Sequence, residues 1–176
     1  MDTSAFIDYL IASPGYDSQI AHIEHIPPRD ASFAELDSPL VTELENTLKE
    51  NNLFPLYTHQ AKAVNHARNG EQVMVSTSSA SGKSLCYNIP VLETLLVETG
   101  SCALYLFPTK ALAQDQMRSI LELYCPDLLG YEQLATFDGD TPAEERSEVK
   151  RRARVIITNP DMLHFGILPN HQSWPR

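Results

Sequence analysis

Cysteine is scarce in this sequence: Cys86, Cys102 and Cys125 are all that its 176 residues contain. Three is an odd number and the spacings are wide, so neither a disulfide framework nor a metal pair can be built from them. Free, buried thiols in a reducing cytoplasm fit this usage. Long apolar runs are missing too. The chain is 43% hydrophobic, enough for a sizeable core, yet no stretch approaches the roughly 20 residues of a membrane span. Polar residues break up even its longest apolar stretches, such as Ala103-Leu104-Tyr105-Leu106-Phe107. A membrane partner is therefore not expected. The N-terminus has no basic start followed by an apolar block, so no secretory signal is read there and a cytoplasmic location is expected. Positive charge is also in deficit. A net charge of −10 argues against bulk attraction to a phosphate backbone. Residues 1–50 carry ten acids and two bases, whereas residues 51–176 carry thirteen acids and eleven bases. Any nucleic-acid surface must be local and belongs to the later part.

What is present is an alternation of elements. Residues 3–13 predict a helix capped by Asp2 or Thr3 and stopped by Pro14-Gly15. Residues 14–37 read as irregular, with Pro27-Pro28 ending any regular element. Leu40, Leu44 and Leu48 form a helical stripe across 38–51. A second helix follows over about 57–69, closed by Asn69-Gly70. From Gln72 the pattern changes. Val73-Met74-Val75, 103–107, 134–137 and 155–157 read as short apolar strands, separated by helices over 82–98, 110–124 and 142–152. A short helix opens at Pro160. On the 110–124 helix, Leu112, Met117, Ile120, Leu121 and Tyr124 are the expected apolar side. Near-continuous apolar strands alternating with helices predict an α/β fold with a parallel sheet covered on both faces.

The stretch with most chemical content is Val75-Ser76-Thr77-Ser78-Ser79-Ala80-Ser81-Gly82-Lys83-Ser84. A predicted strand enters a loop of small residues, and Gly-Lys-Ser then opens a helix. Small side chains let backbone N–H groups approach a polyphosphate, and the helix N-terminus adds partial positive charge. Lys83 supplies a full charge for the β- and γ-phosphates, and the Ser84 hydroxyl is a candidate Mg²⁺ ligand. The strict pattern G-x-x-x-x-G-K-S/T is not met, because Thr77 stands where the first glycine belongs. The competing reading is an ordinary serine-rich turn with a solvated lysine. Ser79, Ala80, Ser81, Gly82, Lys83 and Ser84 are the candidate ATP-phosphate residues, with Lys83 the candidate catalytic group.

With that loop as anchor, the chain resembles the first motor domain of superfamily 2 helicases of the DEAD/DEAH-box type and, among these, the Hrq/MrfA-type DNA-repair helicases. Leu56-Tyr57-Thr58-His59-Gln60 is similar to the Q motif, and Ser79 to Pro90 to motif I with its flanking helix. Phe107-Pro108-Thr109-Lys110-Ala111-Leu112-Ala113-Gln114-Asp115-Gln116 is similar to motif Ia. Asp138-Gly139-Asp140-Thr141 resembles the turn that follows in this branch, and Thr158-Asn159-Pro160-Asp161-Met162-Leu163 resembles motif Ib. These run in family order over about 27–165. The resemblance implies a RecA-like P-loop sheet that is incomplete at the C-terminus, with 1–37 an N-terminal extension and 38–176 a partial first motor domain. It also implies ATP and Mg²⁺ as cofactors and DNA as partner, with 3′-to-5′ movement. The residues themselves do not exclude RNA.

Individual roles follow, each beside a plainer one. Gln60 has an amide suited to the adenine edge, or is a surface glutamine. Tyr57 lies one turn before it and packs near the base, or is core. The family places an aromatic residue well upstream of the glutamine. Glu43 stands at that spacing here, which leaves the stacking residue open. Pro108, Thr109 and Lys110, with Thr158 and Asn159, fall at the C-terminal edge of the sheet, where such folds bind ligands, and are candidate backbone-phosphate contacts. The plainer roles are a helix cap for Thr109 and a strand-end turn for Asn159. Arg146, Lys150, Arg151, Arg152 and Arg154 read first as a solvated helix face partly paired with Glu144, Glu145 and Glu148. His59, His66 and His164 have no metal-ligand spacing.

No D-E-x-D/H motif, which would hold Mg²⁺ and polarise the attacking water, occurs in the chain. The expectation is a helicase fragment that does not turn over ATP alone and is not a complete folding unit. A non-catalytic nucleotide-binding or regulatory module is the alternative. A P-loop small-molecule kinase is less favoured, because motifs Ia and Ib would then have no role.

Overall fold

The computed structural model describes residues 2–27, 30–123 and 130–174. The chain divides into two compact units, 1–31 and 32–176. The first holds α1 (Thr3–Ile11), capped by Asp2, whose carboxylate accepts from the Ser4 and Ala5 N–H groups at 3.0 and 3.2 Å. These are the donors a helix start leaves without partners. No residue of α1 is buried.

The second unit contains α2 (Thr42–Glu50), α3 (Thr58–Arg68), α4 (Lys83–Val97), β1 (Ala103–Leu106), α5 (Lys110–Leu123), β2 (Leu134–Thr136), α6 (Ala143–Arg152), β3 (Val155–Thr158) and α7 (Pro160–Met162). Single 3₁₀ and π turns carry the chain on from α7 to Ser173. The sheet is parallel with order β1-β3-β2, and Ile156 stands opposite both Leu104 and Ala135. Central β3 is buried at every position. Val155 and Ile157 face the main core with Leu134 and Tyr105, where α2, α3, α4 and α5 contribute Leu44, Leu48, Val64, Ile89, Leu92, Ile120 and Leu123. Ile156 faces a smaller cluster of Phe137, Ala153 and Ile167, against which Val149 and Trp174 pack. A side chain buried as Ile157 is contributes about 1.5–3 kcal/mol by leaving water.

Three expectations are corrected. Val73-Met74-Val75 is not a strand. A strand is held by its ladder, and among the described residues nothing pairs with this segment. Val73 and Met74 are exposed instead. On α5 the buried residues are Ala113, Ile120 and Leu123, while Leu112 and Leu121 face outward. The core stripe runs 113-117-120-123: Met117 and Ile120 lie on the core side as expected, with Ala113 and Leu123 buried in place of Leu112 and Leu121, and Tyr124 lies outside the described residues, as does Cys125. Finally, α2 starts at Thr42 rather than 38: its N-cap Val41 has a non-helical ψ of 130°, and Leu40 is buried before the helix begins. Among the described residues no helix is long and apolar enough to cross a membrane.

Candidate nucleotide and nucleic-acid site

The phosphate loop runs from Ser76 into α4, and its shape follows from two residues with positive φ. Ala80 has φ +56° and Gly82 φ +73°. Gly82 is the N-cap of α4. A β-carbon at position 82 would lie 2.5 Å from Gln60 Nε2, so glycine is required there both by conformation and by space. Alternating backbone handedness of this kind makes a concavity lined by N–H groups. The Lys83 ammonium donates to the Ser78 carbonyl at 2.5 Å and the Thr77 carbonyl at 3.3 Å. Thr77 and Ser81 hydroxyls are linked at 2.6 Å. Ser79 and Ala80 form the exposed tip. One residue before Lys83, the Gly82 carbonyl turns outward to α3.

That helix carries the Q-like motif. The Gln60 amide is almost fully buried and uses both ends. Its Nε2 donates to the Gly82 carbonyl at 3.0 Å, and its Oε1 accepts from the Tyr57 N–H at 2.8 Å, capping α3. One donor hydrogen and one lone pair remain for a ligand. His59 Nε2 donates to the Ser81 carbonyl at 2.9 Å. The sequence reading missed both this contact and Phe33. Phe33 pairs with Tyr57 in an antiparallel bridge, and their rings stack at 5.2 Å and 12°. Residues 32–34 are pinned there because the Thr58 N–H donates to the Ser32 carbonyl and the Ala34 N–H to the Leu56 carbonyl. An open cleft of about 500 Å³ is lined by Phe33, Tyr57, Gln60, Gly82 and Ser84 among others, a size that suits a small ligand.

Arg68 fixes α3 to α4. Its guanidinium forks onto Glu93 at 2.8 and 2.7 Å and also donates to the Ser38 and Pro39 carbonyls. The hydrogen bond to Glu93 raises the pKa of Arg68 above its ordinary value. Next to the loop, burial pushes the Cys86 thiol up, and the Lys83 charge opposes this only in part.

The candidate nucleic-acid residues do converge at the C-terminal ends of the parallel strands. The Thr109 hydroxyl accepts from the Leu112 N–H at 3.3 Å, a helix cap. Exposed Lys110 pairs with Asp140 of the turn after β2, a hydrogen bond that raises the lysine pKa. Asn159 caps α7 by accepting from the Met162 N–H at 2.8 Å. Thr158 is 1% exposed, and its hydroxyl donates to the Phe137 carbonyl at 2.5 Å. Its side chain thus lies behind the surface, where it holds the turn in place and does not meet solvent.

The basic run at 146–154 is spent locally. Arg151 and Arg152 pair with Glu148. Arg146 donates to the Thr141 and Asp138 carbonyls and lies over Phe137. Lys150 lies over Trp174. Arg154 takes the carbonyls of Leu95, Glu98 and Ser101 at the end of α4.

Comparison with known proteins places this geometry. The family model described as DEAD/DEAH box helicase matches residues 57–174. The chain is 44% identical over 173 residues to the ATP-dependent helicase hrq1 of Schizosaccharomyces pombe, covering 96% of this chain and 16% of that protein. To the uncharacterized ATP-dependent helicase YprA of Bacillus subtilis it is 39% identical over 166 residues, covering 94% of this chain and 22% of that one. A crystal structure of the DUF1998 helicase MrfA bound to DNA and AMPPNP superposes with a TM-score of 0.78 at 41% identity, over 85% of this chain and 21% of MrfA. The chain thus spans about a fifth of the length of these relatives. The matched region holds both the tethered phosphate loop and the strand-end cluster, and on these grounds the chain belongs to the DEAD/DEAH box helicase family.

Proposed function

We propose that this chain binds ATP with Mg²⁺ at the 77–84 loop and the sugar–phosphate backbone of DNA at the strand ends, as part of an ATP-dependent DNA helicase motor. The observation that carries the reading is the loop itself. Its Ser81 and Gly82 carbonyls are turned outward to α3, which leaves the opposite side of the backbone for phosphate. Ser79, Ala80, Ser81 and Gly82 supply that backbone. The Lys83 ammonium already sits among carbonyl oxygens, a position a phosphate would claim more strongly. Ser84 lines the same cleft and supplies the hydroxyl for Mg²⁺. When bound, that ion neutralises phosphate charge. Gln60 reads the adenine edge with its remaining donor and acceptor, and the Phe33–Tyr57 stack offers the base a flat apolar face.

At the strand ends, Pro108, Thr109, Lys110 and Asn159 meet phosphates, while Thr158 holds the turn beneath them. Helix-start N–H groups and a lysine carry no base pattern, so binding is expected to be salt-dependent and nearly blind to sequence. MrfA has been crystallised with DNA and AMPPNP, which supports the pairing of ligands.

The test is calorimetry on the full chain. Lys83→Ala removes a charge-assisted contact, and ATP affinity should fall about 10- to 100-fold. Unchanged affinity would remove the loop from the nucleotide site.

A further inference from the structure

We infer that His59 is a positioning residue for the phosphate loop, holding one of the two peptide planes that present N–H groups to the nucleotide. The inference rests on the nucleotide reading above and adds to it a residue with no charge or catalytic role of its own. In a trans peptide the carbonyl and the N–H of the next residue point in opposite directions. Fixing the Ser81 carbonyl therefore fixes the direction of the Gly82 N–H, and fixing the Gly82 carbonyl fixes that of the Lys83 N–H. His59 takes the first carbonyl at 2.9 Å and Gln60 takes the second at 3.0 Å. Two adjacent helix residues thus hold two adjacent peptide planes of a loop 22 residues further on.

The loop needs such holds. Ala80 and Gly82 adopt positive φ on either side of Ser81, and an alanine there is disfavoured unless its surroundings enforce it. Gln60 cannot hold both planes, because its Nε2 is set on Gly82 and its Oε1 on the Tyr57 N–H. The imidazole is itself restrained. It stacks on Tyr57 at 5.9 Å and 8°, and Tyr57 stacks on Phe33 at 5.2 Å and 12°. A carbonyl only accepts, so Nε2 must carry the hydrogen, and it carries one in both the neutral tautomer that fits and the imidazolium. What matters is a donor at the reach of Nε2.

That requirement separates ring from donor. His59→Phe keeps the stacked ring and loses the donor. His59→Gln loses the ring and keeps an N–H at comparable reach. His59→Asn keeps an amide that is too short. ATP affinity measured by calorimetry on the full chain should fall roughly three- to tenfold in the Phe and Asn variants, the worth of one hydrogen bond. In the Gln variant it should stay within about twofold of the original. Thermal unfolding of each variant confirms that it is folded, and the Asn–Gln pair decides the matter if the Phe variant is not. Original affinity in both Phe and Asn, or a Gln variant as weak as Asn, would overturn the inference while leaving the nucleotide reading intact. An original chain that binds no ATP, or one indifferent to Lys83→Ala, would remove that reading and the inference with it.

Discussion

The 77–84 loop and the strand-end cluster are both proposed to meet phosphate, but they keep their polar groups in different ways. In the loop, side chains hold backbone from outside: His59 and Gln60 take successive carbonyls, and the free N–H side is left for a ligand. At the strand ends, the side chains that would reach a phosphate are already engaged. Thr109 and Asn159 cap helices and Lys110 is paired with Asp140, over a turn that Thr158 holds through the Phe137 carbonyl. The backbone of the first region is organised before its ligand arrives, and only Lys83 must exchange carbonyl partners. In the second, the ligand must displace the internal contacts of the side chains themselves. Preorganisation removes an ordering cost from binding, whereas displacement imposes one, so substitutions should act oppositely in the two places.

The largest effect is expected from a pair of glycines, one in each region. Gly82→Ala forces a β-carbon into positive φ and against Gln60 Nε2. The conformational penalty and the lost hydrogen bond should together cost about 2–3 kcal/mol of stability, and ATP affinity should collapse. Gly139, in the turn that holds Asp140, has open space around its β-position. Gly139→Ala should stay within about 0.5 kcal/mol. Denaturant unfolding of both checks this. Equal losses would break the contrast between a tight loop and an open turn.

A somewhat smaller effect is expected at the base of the loop's support. Arg68 and Glu93 are only 18% and 15% exposed. Arg68→Met leaves Glu93 with an unpaired charge and the Ser38 and Pro39 carbonyls without that donor. A stability loss of about 2 kcal/mol should follow, below the roughly 3–5 kcal/mol of a fully buried broken pair because the site retains some solvent. Since Arg68 joins α3 to α4, ATP affinity should fall as well. Nucleic-acid affinity at the strand ends should change far less. A substitution that weakened both ligands equally would show the two regions to be one mechanical unit.

How much of this was legible beforehand depended on distance along the chain. The loop could be read because its chemistry is local: small residues, glycine, lysine and serine are consecutive, and the helix they open is strongly patterned. Parallel β/α alternation was legible for the same reason. The supports were not. His59 meets Ser81, Phe33 meets Tyr57 and Lys110 meets Asp140 only through the fold, and sequence showed His59 merely as an isolated histidine. Val73-Met74-Val75 shows the limit from the other side. Its residues prefer strand, but preference supplies no partner, and a strand without a ladder does not form. On α5, Leu112 and Leu121 were apolar enough to be read as core, and packing chose Ala113 and Leu123 beside the expected Ile120.

The smallest effect sharpens the comparison most, because its sign is unusual. Asp140 is an acid that faces the lysine expected to meet backbone phosphate, and the contact raises the lysine pKa. On the proposed reading, Asp140 stands where a phosphate oxygen would bind Lys110 and competes with it. Asp140→Asn removes that competitor and one negative charge from the edge, leaving Lys110 protonated and free. Affinity for a single-stranded oligonucleotide should rise about two- to fivefold at low salt, as expected for one exposed charge. The gain should shrink as salt is raised, because the Debye length falls to about 8 Å near physiological ionic strength. ATP affinity should not move. Fluorescence anisotropy across a salt series measures the first two effects, and calorimetry the third. The double change Thr109→Ala with Lys110→Ala supplies the reference: on that background Asp140→Asn should add little, since the group it releases is gone. A gain of the same size on both backgrounds would show that Asp140 acts as general negative charge and does not compete for Lys110. A fall in affinity would show that the turn needs the Asp140 carboxylate as well as that of Asp138, which accepts from the Asp140 N–H at 2.8 Å.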